Sequence, residues 1–146
     1  VTWAAREVHG ISDEMLHGAP ALMDLWPQIR EALRDRWVVV HGGATEKRFL
    51  NIFPFHGFGP WVDTLNLARA IHPYLESHAL GETIESLGLS QKLATWENFR
   101  WHDAASDAAA SLVLLEHLVE AANLHEEPAE ILTRPNLKAY FKTRRK

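Results

Sequence analysis

The sequence predicts an α/β fold in which helices surround a reduced parallel sheet. Three observations lead there. Trp37-Val38-Val39-Val40 is an unbroken, mostly β-branched run that passes directly into His41-Gly42-Gly43 and then a helical pattern, as in a strand buried on both faces that turns into a helix. Trp61-Val62 repeats the arrangement on a smaller scale, with Asp63 or Thr64 placed to cap the helix that follows. Five or six further segments carry apolar residues at steps of three and four, the spacing of one helical face. At 146 residues, with 47% hydrophobic and 23% charged side chains, the chain is one globular domain able to bury a core.

Taken in order, Val8 to Leu16 reads as an extended arm turning into a short helix, with Ser12 as N-cap and Asp13 and Glu14 in the first turn. Gly18-Ala19-Pro20 stops it. From Ala21 to about Arg36, Leu22, Leu25, Trp26, Ile29 and Leu33 form one apolar face. Pro27 is expected to kink that helix or to mark a second start near Trp26. After the first strand, Ala44 to Phe53 reads as a helix with Phe49, Leu50 and Phe53 toward the core.

Residues 54–60 form a loop, and Leu65, Leu67, Ala68 and Ile71 line the helix after the second strand. His78 to Leu87 is a short helix closed by Gly88, and residues 90–100 read as a polar, aromatic-studded loop. The last long helix is expected from about Asp103 to Asn123, with Leu112, Leu115, Leu118 and Val119 buried. Residues 1–124 are therefore read as the domain, and 125–146 as a linker and basic tail. Two parallel strands cannot cover their own edges. That shortage, with Val at position 1, gives the expectation that the fold is N-terminally incomplete.

Several classes are excluded or disfavoured. No run approaches the 18 or so apolar residues of a membrane span, so no membrane partner is expected. With no cysteine there is no disulfide framework and no thiolate nucleophile or ligand, which is compatible with a cytoplasmic setting. The formal charge is −4, although the last nine residues hold five Lys/Arg and no acid. The body is thus acidic and does not hold nucleic acid by bulk charge.

The chemistry-bearing stretch is Trp101-His102-Asp103-Ala104-Ala105-Ser106-Asp107-Ala108. A residue just ahead of a helix and a carboxylate in its second turn can face the same space. Imidazole is the side chain that takes a proton near neutral pH, and a carboxylate can hold a divalent cation. Small residues around the pair admit a close approach. By spacing alone, capping and solvation account for the pair better than catalysis does. His41 and Glu46 also sit at the carboxyl end of the first strand, where α/β folds place their sites.

Four segments in order resemble the DnaQ-like, DEDDh-type 3′–5′ exonucleases: His9-Gly10-Ile11-Ser12-Asp13-Glu14-Met15, Val38 through Leu50, Trp61-Val62-Asp63-Thr64-Leu65, and His102 through Ala108. The resemblance implies a ribonuclease-H-like fold, two divalent ions (Mg²⁺ or Mn²⁺), and hydrolysis from the 3′ end of DNA or RNA. It makes His102 the general base and Asp107 and Glu46 metal ligands. It assigns His9, Gly10, Ile11 and His41 to substrate binding, with Ile11 against the terminal nucleotide. Its partners are a single-stranded 3′ end and a replication or repair protein.

Two departures stand out. The family's opening Asp-x-Glu motif has no counterpart upstream of His9, and Glu46 stands where the family has Asp, one methylene longer. The 146 residues alone are therefore expected to bind metal poorly and to degrade nothing. Two other readings stay open: a catalytically inactive exonuclease-like module that binds nucleic acid or protein, and a phosphohydrolase of short oligonucleotides or nucleotides. The tryptophans read as core or rim aromatics, with Trp101 set apart because it adjoins His102.

Overall fold

Two parallel strands form the centre, β1 (Val38–Val40) and β2 (Trp61–Asp63), in the register Val38 to Trp61, Val39 to Val62 and Val40 to Asp63. A computed structural model of the chain describes residues 1–50, 52–53, 55–136 and 140. Around the strands stand α1 (Trp3–His9), α2 (Asp13–Leu16), α3 (Leu22–Leu33), α4 (Ala44–Leu50), α5 (Thr64–Ile71), α6 (Leu80–Ser86), α7 (Ser90–Leu93) and α8 (Ala104–Ala121). A 3-10 turn follows at Ala129–Leu132. The α/β class and the reduced parallel sheet agree with the sequence reading. Two strands among the described residues are fewer than a complete ribonuclease-H-like sheet requires.

β1 is covered on both faces, as its composition predicts. Val38 and Val40 pack with Phe58 against Trp26, Ile29, Leu33 and Leu50, whereas Val39 turns to the main core. That core joins Val62 to Leu67, Ala68 and Ile71 of α5, Ile84 of α6, Leu93 of α7 and Ala110, Leu114 and Leu118 of α8. The alternation follows from the two-residue period of a strand. On the first face, Trp26 stacks on Phe53 with ring centroids 3.7 Å apart.

Several boundaries differ from the sequence reading. Val8 and His9 lie in helix α1, not in an extended arm. Thr2 caps its start, and Gly10, whose N–H bonds the Arg6 carbonyl at 2.8 Å, ends it by turning the chain away at φ +71°. Ser12 caps α2 as expected. One helix runs through Pro27, with no second start. Phe49 is exposed, not core-facing; Leu50 is the residue of α4 that packs against β1, and the buried Phe53 beyond it stacks on Trp26.

Residues 90–93 form α7, not loop. Leu112 is exposed, and the face of α8 that turns inward is Ser106, Ala109, Ala110, Ser111, Leu114 and Leu118. α8 is apolar nearly all round, so periodicity cannot choose its face. Small residues win because they let the helix approach α5, α6 and β1 closely.

Past α8, Ile131 and Leu132 lie against the main core, as does Tyr140, whose hydroxyl donates to the Ile131 carbonyl at 3.1 Å. Of the basic tail read at 138–146, all but Tyr140 lies outside the described residues.

Candidate functional site

The start of α8 is held by a dense set of short-range hydrogen bonds. Asp103, the N-cap, accepts through Oδ1 from the Ser106 backbone N–H at 3.0 Å and from its hydroxyl at 3.1 Å. Ser106 Oγ in turn accepts from the Arg100 N–H at 3.1 Å. These bonds, first the Ser106 N–H and then its hydroxyl, hold the Asp103 carboxyl below the usual aspartate range.

The chain enters this cap through His102, which has φ +63°. Histidine visits the left-handed region at a cost that a neighbouring structure must meet. The His102 N–H donates to Asp107 Oδ1 at 3.3 Å. The imidazole and this carboxylate thus belong to one local unit.

Both side chains line an open cleft of about 550 Å³ between the start of α8 and α6. Its other walls include Gly81, Glu82 and Glu85 of α6, Ser90 of α7, and Trp101. A groove of this size is within the range of small-molecule and substrate sites. His102 can offer a proton acceptor to its interior, and three carboxylates face it.

The remaining sequence candidates are placed elsewhere. Glu46 lies on the exposed side of α4 and does not line this cleft. His9 and Gly10 end α1. The His9 Nδ1 accepts from the Ile11 N–H at 2.9 Å, and Ile11 is partly exposed. None of the three lines the cleft.

His41 is tied into the fold at both ring nitrogens. Nδ1 lies 2.9 Å from Thr64 Oγ1 and Nε2 lies 2.9 Å from the His78 carbonyl. Because a carbonyl only accepts, Nε2 carries a proton. Burial is the main influence on this imidazole and pushes its pKa below the usual histidine value. In the neutral ring Nδ1 then accepts from the Thr64 hydroxyl, which otherwise donates to Val40 O at 3.0 Å. His41 therefore joins the end of β1 to the starts of α5 and α6.

Next to it, Asp63 Oδ1 accepts from the N–H groups of Gly42 at 2.9 Å and Leu65 at 3.0 Å. Asp63 is thus a cap and turn anchor, as the sequence suggests.

Among the described residues no three His, Asp or Glu side chains converge closely enough to hold an ion. Asp107 is the candidate ligand that lines the cleft, and Glu46 does not join it there. The described residues do not by themselves make a metal centre.

Sequence reasoning missed Glu82, Glu85 and Gly81. Their signal is faint: two carboxylates three apart on the polar side of a short helix, beside a glycine. Gly81 lies against Trp101, where a Cβ would stand 3.7 Å from the indole Cε2 and Cζ2, an ordinary packing distance.

Residues 1–115 match the family model RNase_T, described as exonuclease. Among curated proteins, the chain is 30% identical over 119 residues to DNA polymerase III PolC-type of Thermotoga maritima, covering 78% of this chain and 8% of that protein. It is 29% identical over 149 aligned positions to DNA polymerase III PolC-type of Bacillus subtilis, covering 94% and 10%. To DNA polymerase III subunit epsilon of Aquifex aeolicus it is 28% identical over 120 residues, covering 79% and 56%. The chain thus spans a tenth or less of the first two relatives and just over half of the third. No solved structure matches at the same stringency. Among the described residues no helix is long and apolar enough to cross a membrane.

Proposed function

The chain belongs to the exonuclease family whose model its residues 1–115 match, and from that premise we propose that it acts as part of a metal-dependent 3′–5′ exonuclease on single-stranded DNA ends. The observation that carries the reading is His102 and Asp107 on the wall of one open cleft, joined by a backbone hydrogen bond. DNA is favoured over RNA because the relatives are named as DNA polymerase III chains. A replication or repair protein partner and a cytoplasmic setting belong to the same proposal, supported by relatives named as DNA polymerase III chains.

In this reading His102 is the general base. Its imidazole accepts a proton from the water that attacks the phosphorus of the terminal phosphodiester. The bond from phosphorus to the 3′ oxygen of the penultimate nucleotide breaks, that oxygen takes up a proton from solvent to become the new 3′-hydroxyl, and a nucleoside 5′-monophosphate leaves. Asp107 orients the turn that carries His102 and offers its second oxygen to the cleft. Glu46 is the second proposed ligand from this chain. His9, Gly10 and Ile11 contact the terminal nucleotide, and His41 supports the strand end beneath the site.

Exonucleases of this family generally use divalent metals; Asp107 and Glu46 are the residues of this chain proposed to hold them, and bound ions would supply Lewis-acid activation. Mg²⁺ or Mn²⁺ bound here needs carboxylates beyond those the described residues gather at the cleft. The 146 residues tested alone are therefore inactive, and activity appears when adjoining sequence supplies further acidic ligands.

The test is a 5′-labelled single strand incubated with Mn²⁺. The 146-residue chain leaves the strand intact. The polypeptide with its adjoining sequence shortens it from the 3′ end, and His102→Ala lowers that rate about 10²- to 10⁴-fold. If the longer polypeptide also leaves the strand intact, the reading fails in favour of a non-catalytic module. The exposed position of Glu46 and the absence of a three-ligand group among the described residues are what favour that second reading.

A further inference from the structure

Beside the cleft lies a second hollow of about 450 Å³, lined by Leu93, Trp96, Asn98, Phe99 and Trp101 together with Ser90 and Ala94 of α7 and its C-terminus. Ser90 and Trp101 line both spaces, so the two adjoin. Trp96 is 52% exposed and Trp101 38%, and Phe99 meets Trp101 edge-on at 4.9 Å and 89°. Gly81 supports Trp101 from α6. Leu93, almost fully buried in the main core, fixes the floor. Two large indoles thus stand open to solvent, one wall away from His102.

Charge does not explain how a polyanion would stay at such a site. The chain carries −4, and Glu82, Glu85 and Asp107 face the cleft. Protein–nucleic acid affinity that comes from phosphate neutralisation needs Lys/Arg along the backbone path. Here Lys92, on α7, is already paired with Glu116 at 2.8 Å. Stacking of bases on aromatic faces supplies affinity that needs no positive charge and tolerates any sequence.

We propose that the Trp96–Phe99–Trp101 hollow is a base-stacking subsite that holds a nucleobase of the single strand upstream of its 3′-terminal nucleotide. The proposal rests on the exonuclease reading of the neighbouring cleft and adds to it the group that retains the strand. It commits to a nucleic acid base over a protein side chain because the hollow shares Ser90 and Trp101 with the cleft proposed to receive the strand end.

The test measures binding of a 5′-fluorescein oligothymidylate to the 146-residue chain by anisotropy, in EDTA so that nothing is cleaved. Three further probes complete it: the same strand with single abasic positions, Trp96→Ala, and Trp96→Phe. The expected result is a loss of about 5- to 150-fold on Trp96→Ala, near-wild-type affinity for Trp96→Phe, and a shallow salt dependence. One abasic position upstream of the 3′ end weakens the wild type by a similar factor and adds nothing in Trp96→Ala.

Equal affinity of wild type and Trp96→Ala overturns the stacking subsite and leaves the exonuclease reading standing. So does an abasic loss that persists in full in the variant. No binding by the wild-type chain, with no shortening by the longer polypeptide, removes both. Trp96 is exposed, so thermal denaturation of each variant confirms that a lost affinity is not a lost fold.

Discussion

The His102 N–H points at Asp107 Oδ1 across 3.3 Å while His102 itself sits at φ +63°. The proposed base is held by its backbone in a conformation that a glycine would adopt more readily. The side chain is exposed and makes no hydrogen bond among the described residues. The local fold therefore needs the backbone geometry of residue 102, and does not need the imidazole.

A stability measurement separates those two needs. A non-glycine residue in the left-handed region costs about 1–3 kcal/mol, and glycine gives back about 0.4–1 kcal/mol through a looser unfolded chain. His102→Gly is expected to leave the 146-residue chain as stable or to stabilise it by up to about 2 kcal/mol in urea denaturation. The same change removes activity from the longer polypeptide. A clear loss of stability would assign His102 a structural role.

Asp103 supplies the opposite case, a carboxylate whose work is structural. Its pKa is depressed by the Ser106 bonds. Its stabilisation is therefore present above the unfolded aspartate pKa, and is lost as pH falls through the lower folded value. Asp103→Ala is expected to lower the urea midpoint at pH 7, and Asp103→Asn, still a competent N-cap, to lower it less. The gap between wild type and either variant closes as the pH is taken down to 2–3. A gap that stays constant with pH contradicts the charged cap.

His41 should give a pH dependence of the same sign in a higher window. Burial is the first cause of its lowered pKa, opposed by the His78 carbonyl and by Asp63, with Arg69 and His78 adding to the lowering. The unfolded chain therefore binds a proton more readily than the folded one. The contribution of His41 to stability is complete above the ordinary histidine pKa of about 6.5, and falls as pH drops below it. Urea midpoints between pH 7.5 and 5 should show this slope in wild type and a shallower one in His41→Gln. Equal slopes would show that this imidazole does not titrate on unfolding.

Gly43 tests the tight turn at the end of β1. A Cβ there would lie 2.5 Å from Val40 Cγ2 and 3.2 Å from Val40 Cβ. Valine is stiff at χ1 and cannot swing aside cheaply. Gly43→Ala is expected to cost about 1–3 kcal/mol, read from the urea midpoint. A neutral result would mean that β1 and α4 can separate without loss.

How much of this was legible in advance depended on how local the cause is. The two strands, the Ser12 and Asp63 caps and the Gly-Gly turn were readable because each is set by residues within a few positions. So was the pairing of His102 with Asp107, which spans five. The inward face of α8 was not readable, since Leu112 and Leu114 are equally apolar and only the position of α5, α6 and β1 chooses between them. The extended reading of Val8 and His9 failed for a related reason: Thr2 and Gly10 bracket a helix whose own residues show no strong period.

By itself the sequence determined the α/β class, the short parallel pairing and the family, because strand composition, caps and ordered motifs are written in adjacent residues. Tertiary structure alone decided that Glu82, Glu85 and Trp101 share the cleft with His102 and Asp107, and that Glu46 does not. It also opened the aromatic hollow beside them. Those relations join segments distant along the chain, and only the packing of α6, α7 and α8 around one core brings them within reach.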